Sequence, residues 1–187
     1  GCVPAHLAAV LPPLEQAACR VRTWRDAVAI TVPERLGSLG WVRTMPYPGF
    51  PTDAQAPLMA AALRADGTTV FTETIFQNRY RHVSEMARMG ARVRTEGKVA
   101  IVTGVPRLHG ASVRCTDLRG GAALCAAALA AEGQSVIAEI HHIERGYEHL
   151  DESLRQLGAN ITRSDHETEA EETQTEQPTT SEEGAGA

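Results

Sequence analysis

The sequence has few aromatic residues, few cysteines and no long hydrophobic run. Aromatic residues make up 4% of its 187 residues, and the four cysteines (Cys2, Cys19, Cys115 and Cys125) show no C-x-x-C spacing. This pattern predicts reduced, partly buried thiols rather than a disulfide framework or a zinc site. No stretch approaches the ~20 apolar residues of a membrane span, and no secretory signal opens the chain. We therefore expect a cytoplasmic protein with no membrane partner.

The charge is distributed unevenly along the chain. The formal net charge is −5, yet residues 164–187 hold eight acidic residues and no lysine or arginine, so the rest of the chain carries about +3. That positive charge is far below a nucleic-acid-binding footprint but suits a small anionic substrate. Because residues 164–187 have almost no apolar side chains, they predict a disordered acidic tail.

Metal and phosphate-loop signatures are also lacking. His141 and His142 are adjacent in a predicted strand, where their side chains would face opposite sides and could not chelate one ion. Gly120 and Gly121 fall inside a predicted helix and match no phosphate-binding fingerprint. We expect neither a metal nor an organic cofactor.

What the chain does contain is a repeat of about 65 to 70 residues. Arg79 and Arg145 are 66 residues apart, and each precedes a predicted helix. Asp53 and Asp117 are 64 residues apart, and each stands at the predicted start of an apolar helix. This spacing predicts an α/β fold with about two and a half copies of one unit of helices and short strands.

The periodicity of apolar residues predicts short elements throughout. The predicted helices cover residues 4–18 (with a kink or break at Pro12 and Pro13), 52–65, 83–89, 118–131 and 147–157. The predicted strands cover residues 20–23, 27–32, 41–44, 68–73, 92–96, 98–103, 111–115, 135–143 and 160–163.

Asp53 is the first candidate for acid–base chemistry. It follows a proline-rich loop and stands at a helix start, where backbone N–H groups stabilise a carboxylate. A carboxyl group with a pKa near ~3.9 is a poor base in water, so catalysis requires a positioned, desolvated site. A plain N-cap is an equally acceptable interpretation of Asp53. Asp117 has the same two interpretations, with the N-cap favoured.

Three arginines are candidates for binding an anion. Arg79 and Arg145 lie between a predicted strand and a predicted helix, and an arginine fork binds phosphate or carboxylate bidentately. The alternative is a structural ion pair with a nearby glutamate. Arg119 stands in the first turn of a predicted helix, where the helix dipole disfavours a cation. That position indicates an anionic partner for Arg119.

Several segments of the chain together resemble the family of UDP-N-acetylglucosamine 1-carboxyvinyltransferases. The resemblance extends from about His6 to Arg163. The segments are Tyr47-Pro-Gly-Phe-Pro-Thr-Asp-Ala-Gln-Ala56, Thr72-Glu-Thr-Ile-Phe-Gln-Asn-Arg79, Thr116-Asp-Leu-Arg119, His142-Ile-Glu-Arg-Gly-Tyr-Glu148 and Leu157-Gly-Ala-Asn-Ile161.

The resemblance implies an inside-out α/β barrel domain built from repeated units. Residues 1–163 would be the C-terminal domain of the transferase, incomplete at its start. The implied reaction moves the enolpyruvyl group of phosphoenolpyruvate onto the 3-hydroxyl of UDP-N-acetylglucosamine, by addition and then elimination of phosphate. This is the first committed step of peptidoglycan synthesis, and through it the family serves cell-wall formation, cell shape and division.

The resemblance also implies roles for individual residues. Asp53 matches the aspartate that accepts the hydroxyl proton and touches the sugar. Ile75 matches a position whose backbone contacts the UDP-sugar, and Arg145 matches an arginine that grips phosphoenolpyruvate as two domains close. Three further positions match polar residues that line the cleft between the domains: Arg79, Asp117 and Arg119.

Family members are roughly twice as long as this chain. Their N-terminal domain supplies a Lys-Asn pair and a glycine-rich mobile loop with a reactive cysteine or an aspartate, and no residue here matches these. Because the chain opens on Gly1 followed by a helix pattern, we expect it to begin partway through a longer protein. We expect no activity from this chain alone, because its cleft would need the other domain, in cis, to close. The alternative is a non-catalytic half-domain that binds a UDP-sugar or a protein partner.

Overall fold

The computed structural model describes residues 1–164. The predicted acidic tail therefore lies outside the described residues, except for Ser164. Residues 1–150 form one compact unit, and a second unit begins at Asp151. The first unit contains a 3₁₀ turn at Pro4–Leu7 and the helices α1 (Leu11–Gln16), α2 (Thr52–Ala62), α3 (Val83–Arg88), α4 (Leu118–Leu129) and α5 (His141–Glu144). Helix α6 (Leu150–Gln156) lies almost wholly in the second unit.

The strands within residues 1–164 are short and form four small sheets. They are β1 (Arg20–Thr23), β2 (Val28–Thr31), β3 (Trp41–Arg43), β4 (Thr68–Thr72), β5 (Arg92–Glu96), β6 (Val99–Thr103), β7 (Leu108–His109), β8 (Ser112–Arg114), β9 (Ala131–Glu132) and β10 (Val136–Ala138). The largest sheet has the order β3-β4-β6-β5, in which β3 and β4 are parallel and the other pairs antiparallel. Strands β1 and β2 form a hairpin, and β8 pairs with β10 and β7 with β9 in parallel.

The predicted repeat is present as two parallel strand–helix–strand units. In the first unit α2 connects β3 to β4, and in the second α4 connects β8 to β10. The two helices pack against each other more extensively than any other pair of elements. Small buried side chains allow this approach, among them Ala56 and Ala60 in α2 and Ala123 and Ala127 in α4. The packing brings the N-terminal ends of both helices toward one cleft.

The sheet is buried on one face only. Phe71 in β4 and both Ala100 and Val102 in β6 are fully buried, whereas the intervening Ile101 is exposed. This alternation follows from the two-residue period of a strand, which turns successive side chains to opposite faces.

Several predicted elements are wrong in extent or type. Helix 4–18 does break, but before the prolines. Pro12 and Pro13 fall in the first turn of α1, where a missing N–H costs no helical hydrogen bond. The predicted strand 135–143 ends at Ala138, because Glu139 adopts a left-handed conformation (φ 60°) and residues 141–144 are helical.

The last two predicted elements also differ. Helix 147–157 begins only at Leu150, after His149 with φ 43°, a conformation that a helix excludes. No regular structure forms over residues 160–163. Within residues 1–164, no helix combines the length and the apolar character needed to cross a membrane.

Candidate functional site

A cleft of about 560 Å³ collects most of the predicted site residues. Five of the six predicted positions line it, although 92 residues separate the first of them from the last. The cleft is lined by Asp53, Arg79, Arg81, Thr116, Asp117, Leu118, Arg119, His142 and Arg145. The first turn of α2, the segment before α3, the first turn of α4 and the end of α5 each contribute side chains.

Asp53 is held between two arginines. Its Oδ1 accepts a hydrogen bond from Nη2 of Arg79 at 2.8 Å, and its Oδ2 accepts one from Nη2 of Arg119 at 3.0 Å. The hydrogen bond from Arg119 is the main cause that lowers the pKa of Asp53, and the positive charges of both arginines lower it further. Burial acts in the opposite direction but is outweighed. Asp53 is therefore ionised and weakly basic while this pairing lasts.

The N-cap interpretation of Asp53 is wrong. Pro51 occupies the N-cap position of α2 and provides no side-chain cap, and Asp53 is the second residue of the helix. Arg79 does form an ion pair, but its partner is Asp53 and not a nearby glutamate. The anionic partner that the helix position of Arg119 indicated is likewise Asp53.

Glu73 organises the backbone around this pair instead. Its buried carboxylate accepts hydrogen bonds from the hydroxyls of Thr44 (2.9 Å) and Thr52 (2.7 Å) and from the N–H groups of Ile75 (2.7 Å) and Phe76 (3.1 Å). Burial alone raises the pKa of Glu73, but these four hydrogen bonds outweigh it and lower the pKa. Glu73 thus ties the end of β3, the start of α2 and the segment leading to Arg79 together.

Replacing Glu73 with Gln is expected to lower the free energy of unfolding by roughly 2–3 kcal/mol, because charge-assisted hydrogen bonds are lost and an amide N–H₂ faces other donors. Because the folded pKa of Glu73 is lowered, its stabilisation is complete above the ordinary carboxyl pKa and disappears as the pH falls through the folded pKa. Urea unfolding at pH 7 and pH 3 measures both effects.

Glu132→Gln is the matched control for this prediction. Glu132 pairs with Arg107 at the surface, where both side chains are more than half exposed. Its replacement is expected to change the unfolding free energy by less than about 0.5 kcal/mol. Equal stability losses in both variants would contradict the organising role of Glu73.

Asp117 is the N-cap of α4, as its favoured interpretation predicts. Its Oδ1 accepts hydrogen bonds from the N–H groups of Arg119 (3.1 Å) and Gly120 (2.8 Å), and the hydroxyl of Thr116 donates to its Oδ2. Asp117 also lines the cleft, so capping and contact with a ligand are compatible here.

Next to this helix start, burial lowers the pKa of His82 to about 4, so that imidazole is neutral at pH 7.

Arg145 lies at the C-terminal end of α5, not directly after a strand as predicted. A side chain at Gly121 would lie 2.7 Å from Cγ1 of Ile143, so this glycine allows α5 to approach α4 and brings Arg145 to the cleft. Among residues 1–164, the guanidinium groups of Arg145 and Arg81 make no hydrogen bond or ion pair. Two exposed arginines in the cleft are therefore available for a ligand.

Ile75 is the one predicted site residue that does not line the cleft. Its N–H donates to Glu73, and its side chain is partly exposed. It lies on the segment between β4 and Arg79, on the same Glu73 network.

The prediction that His141 and His142 lie in a strand is wrong, since both belong to α5, where their rings lie 4.2 Å apart. Within the described residues, no group of three His, Cys, Asp or Glu side chains could hold a metal ion.

All four cysteines are free, and burial raises the pKa of Cys115 to about 12 and that of Cys125 to about 11. Neither thiol is reactive at neutral pH.

The sequence did not predict Arg81 and His142 as cleft residues. It also did not predict that Glu73 holds the segments around Asp53 and Arg79 together. Arg81 follows Arg79 by two positions in a segment without regular structure. No helix or strand period could therefore predict that its side chain faces the cleft. The cluster of arginines after the Phe-Gln-Asn motif was the available signal. His142 was weighed only as a metal ligand, because the predicted strand turned it away from its neighbours.

Comparison with known proteins identifies the family. The family model described as EPSP synthase (3-phosphoshikimate 1-carboxyvinyltransferase) matches residues 1–154. A UDP-N-acetylglucosamine 1-carboxyvinyltransferase of Symbiobacterium thermophilum is 49% identical over 87% of this chain, which spans only 37% of that relative. A protein of the same name from Desulfofundulus thermocisternus is 45% identical over 88% of this chain, which spans 68% of that relative.

Solved structures agree on the fold. The enolpyruvyl transferase NikO from Streptomyces tendae superposes with a TM-score of 0.76 at 31% identity, over 83% of this chain and 36% of its own. An EPSP synthase from Acinetobacter baumannii superposes with a TM-score of 0.62 at 16% identity, over 84% of this chain and 37% of its own, and supports the fold alone. The inside-out α/β fold is thereby confirmed. The chain belongs to the enolpyruvyl transferase family, among the UDP-N-acetylglucosamine 1-carboxyvinyltransferases, and corresponds to part of their length.

Proposed function

We propose that this chain forms the C-terminal part of the active site of a transferase. The enzyme moves the enolpyruvyl group of phosphoenolpyruvate to the 3-hydroxyl of UDP-N-acetylglucosamine, in peptidoglycan synthesis. The observation that carries the proposal is Asp53, held by Arg79 and Arg119 in a cleft with two further arginines. Both substrates carry phosphate, which arginine forks bind well. The names of the relatives support UDP-N-acetylglucosamine as the acceptor and a carboxyvinyl group as the group transferred.

Asp53 is the proposed proton acceptor. In the addition step the sugar oxygen bonds to C2 of phosphoenolpyruvate, the C2=C3 double bond opens as C3 takes up a proton from a donor outside this chain, and the hydroxyl proton passes to Asp53. In the elimination step C3 loses a proton, the C2=C3 double bond re-forms and phosphate leaves from C2. The contact with Arg119 lowers the pKa of Asp53 and makes it a weak base. A substrate anion that binds Arg79 or Arg119 competes with the carboxylate for them. The loss of that contact raises the basicity of Asp53 when a substrate is present.

The other predicted residues take positions around this step. Arg145 is the proposed ligand of phosphoenolpyruvate, and its exposed guanidinium in the cleft supports this role. Arg79, Asp117 and Arg119 are proposed as further substrate-binding residues of the cleft. Ile75 is proposed to contact the UDP-sugar through its backbone, and the hydrogen bond from its N–H to Glu73 holds that backbone in place.

An N-terminal half in cis completes the active site in this proposal. The first relative is far longer than the segment it shares with this chain, and a site between two domains needs both to close. This chain alone is expected to bind ligand without turnover, which is also the outcome for the alternative of a non-catalytic half-domain. A cytoplasmic location accompanies the proposal, since free thiols are typical of reducing compartments.

Calorimetric titration of UDP-N-acetylglucosamine into the chain tests the proposal. We expect binding that Asp53→Ala abolishes and Asp66→Ala preserves. Asp66 is the matched control because its carboxylate pairs with Arg35 at the surface and does not line the cleft. Equal affinity in the three proteins would place the sugar nucleotide elsewhere and contradict the role of Asp53.

A further inference from the structure

Tyr147 contacts Arg119 through a different guanidinium nitrogen from the one that binds Asp53. The hydroxyl of Tyr147 accepts a hydrogen bond from Nη1 of Arg119 at 3.0 Å, and Cζ of Arg119 lies 5.3 Å from the centre of the Tyr147 ring. Nη2 of the same guanidinium donates to Asp53. Arg119 is therefore held by a tyrosine at Nη1 and by a carboxylate at Nη2.

The position of Tyr147 is itself fixed by packing. Its N–H donates to the carbonyl of Ile143 at 2.9 Å, which continues the turn at the end of α5. A side chain at Gly146 would lie 2.8 Å from Cδ2 of Leu118, so the backbone before Tyr147 rests directly on the first turn of α4. Arg119 belongs to that same turn. The tyrosine and the arginine are thus carried by two segments in direct contact.

We propose that Tyr147 is a positioning residue for the transfer reaction, which keeps Arg119 aimed into the cleft when a substrate anion displaces Asp53 from it. An arginine side chain carries about 2 kcal/mol of rotamer entropy. A guanidinium tethered by the tyrosine keeps its remaining N–H groups directed at the cleft, and the ring adds a cation–π contact. The inference rests on the proposed function for the claim that Asp53 and Arg119 act on the substrate.

Arg79 provides the internal comparison. Its Cζ lies at the same 5.3 Å from the ring of Phe76, but phenylalanine offers no hydroxyl, and the buried Nε of Arg79 has no hydrogen-bond partner within the described residues. Arg79 is therefore held by Asp53 and a ring alone, whereas Arg119 has a third contact. Phe76→Leu serves as the matched control for Tyr147.

The test is an NMR titration of the whole 187-residue chain, with the Asp53 carboxyl carbon and the Arg119 guanidinium nitrogens as probes. Tyr147→Phe removes the hydroxyl and keeps the ring, and Tyr147→Leu removes both. We expect the pKa of Asp53 to rise in both variants toward its value in Arg119→Gln, with the larger rise in Tyr147→Leu. The slowly rotating Nη signals of Arg119 should broaden in both variants and stay sharp in Phe76→Leu.

An Asp53 pKa and Arg119 signals that match wild type in both Tyr147 variants would overturn the inference, even if the melting temperature fell. If Tyr147→Leu loses its cooperative fold, the Asp53 pKa and the Arg119 signals of Tyr147→Phe decide the test, because this variant preserves the packing of the ring. Neither probe needs a substrate. Shifted probes in a chain that binds neither phosphoenolpyruvate nor UDP-N-acetylglucosamine would uphold the positioning of Arg119 by Tyr147 and contradict the expectation that this chain alone binds ligand.

Discussion

Turnover is expected to fall by about 10²- to 10⁴-fold when Asp53 is replaced by Asn, the range that a positioned general base contributes. The assay uses a transferase that joins this chain to the N-terminal half of a relative. Asparagine has the shape of aspartate and can still accept a hydrogen bond from Arg79 or Arg119, but it cannot take up the proton of the sugar hydroxyl. Phosphate release under saturating substrates measures the effect.

The protein is expected to remain folded in this variant. The side chain of Asp53 is 56% exposed, so its ion pairs with the two arginines contribute little to stability. Thermal melts of wild type, Asp53→Asn and the surface control Asp66→Asn should therefore agree within a few degrees. Turnover of Asp53→Asn near that of wild type would exclude a proton-acceptor role for this residue.

Replacing Arg145 with Ala is expected to lower kcat/KM for phosphoenolpyruvate roughly 100-fold, which corresponds to about 3 kcal/mol of lost charge-assisted hydrogen bonding. The affinity for UDP-N-acetylglucosamine should change by less than about threefold, because the proposed contact of Arg145 is with the other substrate. Arg145→Lys preserves the charge but not the planar fork, so it should recover only part of the loss.

Arg81→Ala separates a specific contact from a general electrostatic effect. Arg81 lines the same cleft, is exposed like Arg145 and carries the same charge. A general loss of positive potential would weaken phosphoenolpyruvate use equally in both variants. Equal losses for both substrates in Arg145→Ala would refute the assignment of Arg145 to phosphoenolpyruvate.

The local elements were predictable where neighbouring residues determine them. The hairpin of β5 and β6 turns at Gly97 as predicted, because glycine there takes the left-handed conformation with φ 53°. Asp117 caps α4 because its carboxylate reaches N–H groups only two and three residues ahead. Helix α3 ends before Gly90 for a similarly local reason, since that glycine has φ 86°.

Predictions failed where a distant residue decided the outcome. The N-cap interpretation of Asp53 failed because α2 already begins at Thr52, whose hydroxyl donates to Glu73, 21 residues away. Asp53 is bound instead by Arg79 and Arg119, which are 26 and 66 residues away. Apolar periodicity reports which face of an element is buried, and it contains no information about which charged ends then meet.

The sequence by itself determined the family, the repeated α/β architecture and the residue types from which an anion site could be built. The repeat places equivalent aspartates and arginines near the ends of helices and strands, and the regular spacing of these residues in the sequence was enough to predict this. Only the tertiary structure decided that Asp53 pairs with two arginines while Asp117 caps a helix. It also brought Arg81 and His142 into the cleft and set Tyr147 against Arg119. The reason is that α2 and α4 pack against each other, and this long-range packing selects which polar side chains face each other.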